Sequence, residues 1–89
     1  MTTIPGRSTE MTAGVVAERI SQFLAERTKI NWEPDVDLFE SGSVASLFAL
    51  ELVVFLEEAF GIEIEGRDLR LDNFRTIQTM TSLVQRLRE

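Results

Sequence analysis

Few residues in this chain can do chemistry, and the gaps are informative. The 89 residues include no cysteine and no histidine. The chain therefore lacks a side-chain thiol, the usual general base at neutral pH and the commonest zinc ligand. Its carboxylates show no EF-hand spacing, so neither a metal site nor a catalytic residue is expected. What remains is hydroxyl chemistry. Ser46 opens an apolar stretch beginning Ser46-Leu47-Phe48, and a serine at a helix start ordinarily caps a free backbone N–H. Ser41 and Ser43 compete for that capping role. The turn at Gly42 should leave the helix start open to solvent. Free N–H groups and the helix dipole would there favour an anion, such as a covalently attached phosphate.

The acids form a second pattern. The net charge is −6, and residues 30–66 hold Glu33, Asp35, Asp37, Glu40, Glu51, Glu57, Glu58, Glu63 and Glu65 without one Lys or Arg. Such a segment projects a negative potential that repels nucleic acid and attracts basic protein surfaces. An ordinary solvated acidic face is the plain alternative. The absence of any positive charge across the segment favours a docking surface.

These residues must be positioned by helices. Val16, Ile20, Phe23, Leu24 and the stem of Arg27 recur at helical spacing, which predicts a first helix over 12–28 capped by Thr9 or Thr12. Residues 1–11 lack periodicity and read as a flexible tail. The connection over 29–45 is longer than a helical bundle usually tolerates, and Trp32, Val36, Leu38 and Phe39 are expected to pin it to the core. A second helix is predicted from about Ser46 to Phe60, ended by Gly61. The stretch from Ile62 alternates like a strand but has no second strand to pair with. It reads as a loop with one short helical turn near Asp68–Phe74. A last helix begins near Thr76, with Ile77, Met80, Leu83, Val84 and Leu87 on one face. The expected fold class is all-α, a small four-helix bundle of three long helices and a short third one.

Apart from Glu51, Glu57 and Glu58, every residue from Leu47 to Phe60 is apolar. On a wheel of about 100° per residue, those acids bound one sector, with Ser46 beside Glu57. Leu47, Leu50 and Val54 lie inside it. Ala49, Leu52, Val53, Leu56, Ala59 and Phe60 make the core face, with Phe48 and Phe55 flanking it. The acidic sector reads as a small apolar stripe framed by carboxylates, a composition suited to protein docking. Leu50 is expected to be covered by the long loop or the third helix.

Three stretches carry a family resemblance. Asp37-Leu38-Phe39-Glu40-Ser41-Gly42, the pair Ser46-Leu47, and Glu51-Leu52-Val53-Val54-Phe55-Leu56-Glu57-Glu58-Ala59-Phe60-Gly61-Ile62 together resemble the acyl and peptidyl carrier proteins. Leu71-Asp72-Asn73-Phe74-Arg75-Thr76-Ile77 is similar to their third-helix region, and the likeness runs over residues 13–88. It implies a tail over 1–11 and an acyl carrier domain over 12–89. It also implies 4'-phosphopantetheine attached at Ser46 by a phosphopantetheinyl transferase using coenzyme A. The arm's terminal thiol then carries acyl groups, and partner enzymes supply the acid–base chemistry the chain lacks. Residues corresponding to Leu47, Glu51, Val54 and Glu57 face those partners in the family, and Glu58 adjoins them on the wheel.

The implied partners are acyl-loading and acyl-transfer enzymes, acyl-dehydrogenases and ketosynthase or acyltransferase modules. The family usually has Asp-Ser-Leu where this chain has Ala45-Ser46-Leu47, which puts transferase choice in question. Ser43-x-x-Ser46-Leu47-Phe48-Ala49-Leu50 is also similar to discrete polyketide carriers of glyceryl-derived units, later hydroxymalonyl or methoxymalonyl extenders. The competing reading is an acidic helical adaptor with an unmodified Ser46. With no run of about 18 apolar residues and no graded leader at the start, a cytoplasmic monomer without membrane contact is expected.

Overall fold

The computed structural model describes residues 12–88, so the tail expected over 1–11 lies outside the described residues. Helix α1 spans Ala13–Thr28. Its start is capped by the Thr12 hydroxyl, which accepts from the Val15 N–H at 3.3 Å. Helix α2 spans Phe48–Phe60 and helix α3 spans Ile77–Arg88. Among the described residues there is no strand. The short third helical element expected near Asp68–Phe74 takes 3-10 and not α-helical form. Two 3-10 turns, Gly66–Asp68 and Leu71–Phe74, make it up, so three helices among the described residues are α-helical. The sequence reason is local. Gly66 offers little helix propensity, and Asn73 uses its side-chain amide to donate to the Asp68 carbonyl at 2.8 Å, an alternative to a helical ladder.

The core is built as the periodicity requires. Val16, Ile20 and Leu24 of α1 are fully buried against Leu52, Leu56 and Phe60 of α2 and Met80, Leu83 and Val84 of α3. Phe74 and Ile77 complete it from the chain end of the second 3-10 turn and the start of α3. In the segment after α2, Ile62 and Ile64 turn inward while Glu63 and Glu65 face solvent, the period of an extended chain. That segment is held by Glu57, whose carboxylate accepts from the Ile64 N–H at 2.9 Å. Gly61 ends α2 at φ 65, and its N–H donates to the Glu57 carbonyl. This left-handed position suits glycine best.

The long connection is sewn to α3 by two backbone bonds. The Leu38 N–H donates to the Arg75 carbonyl at 2.7 Å, and the Gln78 N–H donates to the Pro34 carbonyl at 3.0 Å. Leu38 is fully buried, and Trp32 and Phe39 pack partly buried against the core. The Trp32 indole donates to the Thr28 hydroxyl at 3.0 Å. Val36 is the exception: it is exposed and pins nothing. The buried residue in its stead is Val44.

Asp37 is the polar centre of the connection. Its carboxylate accepts from the Phe39 and Glu40 N–H groups at 2.8 and 3.2 Å and from the Arg75 guanidinium at 3.1 Å. The Phe39 N–H first, and then Arg75, hold its carboxyl below the ordinary value of 3.8. A carboxylate depressed in the folded state stabilises the fold above its unfolded pKa and loses that contribution as pH falls through the folded one. Asp37→Asn should therefore lower the melting temperature at neutral pH and flatten its decline below about pH 4. Melting curves across the acid range check this, and parallel declines in both proteins would refute it.

Candidate functional site

The site begins at the entry to α2. Gly42 has φ 83, a left-handed conformation open to glycine. The Ser41 and Ser43 hydroxyls bond each other at 3.1 Å, and the Ser43 N–H donates to Ser41 at 3.2 Å. Neither serine caps the helix. Ser46 does not cap it either: α2 starts without a side-chain cap bond. Ala45, Ser46 and Leu47 are all exposed, and the Ser46 hydroxyl takes no hydrogen bond from the described residues.

The expected free N–H groups are fewer than the sequence suggested. Phe48, Ala49 and Leu50 donate to the carbonyls of Ala45, Ser46 and Leu47 at 2.9 to 3.0 Å. A tight 3-10 turn thus precedes the helix proper, moving the α-helical start from Ser46 to Phe48. The dipole of α2 still points its positive end at this turn. An exposed, unengaged hydroxyl at the positive end of a helix fits a phosphate ester, which needs access and suffers no local competitor for the oxygen.

Beyond Ser46 the outer face of α2 is as the wheel has it. Leu47, Leu50 and Val54 are 73%, 64% and 53% exposed, against full burial of Leu52 and Leu56. Leu50 is therefore not covered by the loop or the 3-10 turns, contrary to expectation. The segment between those turns comes beside it without covering it: Leu69, itself exposed, lines one small groove together with Leu50.

The three acids differ in what they are free to do. Glu58 is exposed. Glu57 is only partly exposed and is held by the Ile64 N–H, which makes it a structural acid as well as a candidate partner contact. Glu51 is paired across the helices with Arg27. That pair is not legible from spacing, because the two residues stand on separate helices with no spacing rule to join them. Arg27 itself was expected only to lay its stem along the core. Its guanidinium instead stands over the Phe23 ring at 5.1 Å. Phe23 in turn stacks on Phe55 with centroids 4.1 Å apart.

The backbones of α1 and α2 approach at few points, so this seam is closed by side chains. Two open grooves run along it, of about 620 and 650 Å³. They share Arg27, Leu50 and Glu51, and the second reaches Ala45 and Leu47 on either side of Ser46.

No helix among the described residues is long and apolar enough to cross a membrane. No curated protein and no solved structure matches the chain. A family profile described as a phosphopantetheine attachment site matches residues 16–84. That span takes in all of the core helices' buried faces, the long connection and the turn around Ser46. With most of its length matched, the chain belongs to the acyl carrier protein family, whose members are generally non-catalytic carriers of covalent 4'-phosphopantetheine.

Proposed function

We propose that Ser46 is the serine that bears the phosphopantetheine, and that the chain delivers acyl thioesters to partner enzymes that dock over the outer face of α2. The observation that carries this reading is Ser46 itself. Its hydroxyl is exposed and unengaged at the positive end of α2, while Ser41 and Ser43 are engaged with one another. The phosphate would sit at the 3-10 turn, near the N–H groups of Ser46 and Leu47, and the arm's thiol would supply the thioester chemistry. The chain's own residues present the hydroxyl, keep the turn in solvent and offer a docking face. That face has Leu47, Leu50 and Val54 as its apolar stripe, Glu58 as its free acid, and Glu51 and Glu57 as acids already engaged within the fold.

The pathway assignment rests on resemblance alone. The Ser43-x-x-Ser46-Leu47-Phe48 pattern supports polyketide or related secondary-metabolite biosynthesis, with glyceryl-derived extender units as the cargo to test first. The partners would be a phosphopantetheinyl transferase and acyl-loading and acyl-transfer enzymes, met by a cytoplasmic monomer. Intact mass after incubation with coenzyme A and a broad-specificity transferase tests the attachment. A gain equal to one phosphopantetheine is expected, and an unchanged mass would favour an adaptor with an unmodified serine.

Ala45 gives a graded test of the same site. A carboxylate at this exposed position would face a basic transferase and sit beside the positive end of α2, where negative charge is favourable. Ala45→Asp should raise the rate of modification by a generic transferase with little cost to folding. Initial rates for both proteins check it, and equal rates would show that the residue before the serine carries no specificity.

A further inference from the structure

We propose that Arg27 is a specificity residue of the docking face, masking Glu51 from weakly basic partners. This rests on the α2 docking reading above, and it adds which acid is available and to what kind of cation. Three observations place Arg27 in that role. Its guanidinium pairs with the Glu51 carboxylate across the α1–α2 seam, with both side chains about half exposed. The same guanidinium lies over the Phe23 ring, which is stacked on Phe55. Arg27 and Glu51 line both grooves along the seam, including the one that flanks Ser46.

The consequence is electrostatic. A partner approaching α2 finds Glu58 exposed and Glu51 already neutralised. To use Glu51, it must displace a guanidinium that is held by the carboxylate, by the aromatic face and by its place in the last turn of α1, where a cation is favourable. A lysine on the partner is a poor competitor, because an ammonium is a strongly hydrated point charge. An arginine matches the carboxylate with the same planar fork. The partner that fits is therefore an enzyme surface with an arginine opposite Glu51, any cation opposite Glu58, and an apolar contact for Leu47 and Val54. Because an exposed ion pair is weak, the mask filters partners without closing the site.

The test is binding of the apo chain to a broad-specificity phosphopantetheinyl transferase, by isothermal titration without coenzyme A so that no transfer occurs. Arg27→Gln keeps much of the aliphatic stem and removes the charge. It should bind roughly two- to fivefold tighter than the natural chain at low salt, and the gain should shrink as salt rises. In a Glu51→Gln background the same change should give no more than the small gain expected from removing a distant positive charge. Arg27→Lys should restore only part of the mask, because an ammonium holds Glu51 less well than the guanidinium fork.

Equal or weaker binding by Arg27→Gln overturns the proposal, and so does a full gain that persists without Glu51. Absence of binding by every variant overturns it as well. The separate mass measurement at Ser46 distinguishes the two readings: tightening by Arg27→Gln with no mass gain leaves the mask standing and removes the carrier site.

Discussion

Ser46→Ala is expected to abolish attachment of phosphopantetheine outright, while Ser41→Ala and Ser43→Ala retain it. The contrast follows from the turn at the start of α2. Ser41 and Ser43 spend their hydroxyls on one another, and only Ser46 is both unengaged and set at the positive end of the helix. The substitution should also leave the fold intact. Losing a serine that caps a helix costs about 1 kcal/mol, but Ser46 makes no cap bond, so its loss should cost well below that figure. Intact mass and a thermal melt of each variant read both halves of the expectation. Modification that survives in Ser46→Ala would place the attachment elsewhere.

The largest stability effect should come from the opposite face of the same helix. Leu56 is fully buried between α1 and α3, whereas Val54, two residues earlier, is 53% exposed. Leu56→Ala should cost about 2–5 kcal/mol through lost burial and the cavity left behind. In a domain of this size each kcal/mol lowers the melting temperature by roughly 4–8 °C. Val54→Ala should cost a small fraction of that and should instead weaken transferase binding. Paired melts and titrations separate the two faces. If Val54→Ala melts as low as Leu56→Ala, the outer face of α2 is core in solution and cannot dock a partner.

The helical phases were readable because they follow from period alone. Val16, Ile20 and Leu24 on α1, and Leu52, Leu56 and Phe60 on α2, recur at the spacing that builds one buried stripe. Thr12 and Gly61 mark ends by familiar cap chemistry. The misreadings lie where tertiary contacts decide. The short helical turn expected near Asp68–Phe74 is there as 3-10 helix, with a second 3-10 turn at Gly66–Asp68 that periodicity does not announce. Val36 sits among residues that do pin the loop, yet nothing in its neighbours tells that Val44 takes the buried place.

At the candidate site, the exposure of Leu47 and Val54 was legible from the wheel, while that of Leu50 was not and Ser46 was singled out by the resemblance. The engagement of the acids was not. Glu57 reaches forward to Ile64, and Glu51 reaches sideways to Arg27. Both partners depend on how the chain returns on itself, which no periodicity encodes. A run of acids in sequence thus overstates the charge that a folded surface presents.

The two backbone bonds that sew the long connection to the start of α3 also set an order of events during synthesis. Pro34 and Leu38 find their partners at Gln78 and Arg75, so the loop leading into α2 closes only across a wide separation along the chain. Such non-local contacts form late, because the entropy of closing the intervening loop must be met before they contribute. On the ribosome, α1 and α2 emerge first, and these two bonds can form only once Arg75 and Gln78 have cleared the exit tunnel. A transferase that recognises the folded turn would then act only after α3 has emerged. Attachment at Ser46 would in that case wait on the third helix, although the serine itself lies at the start of the second.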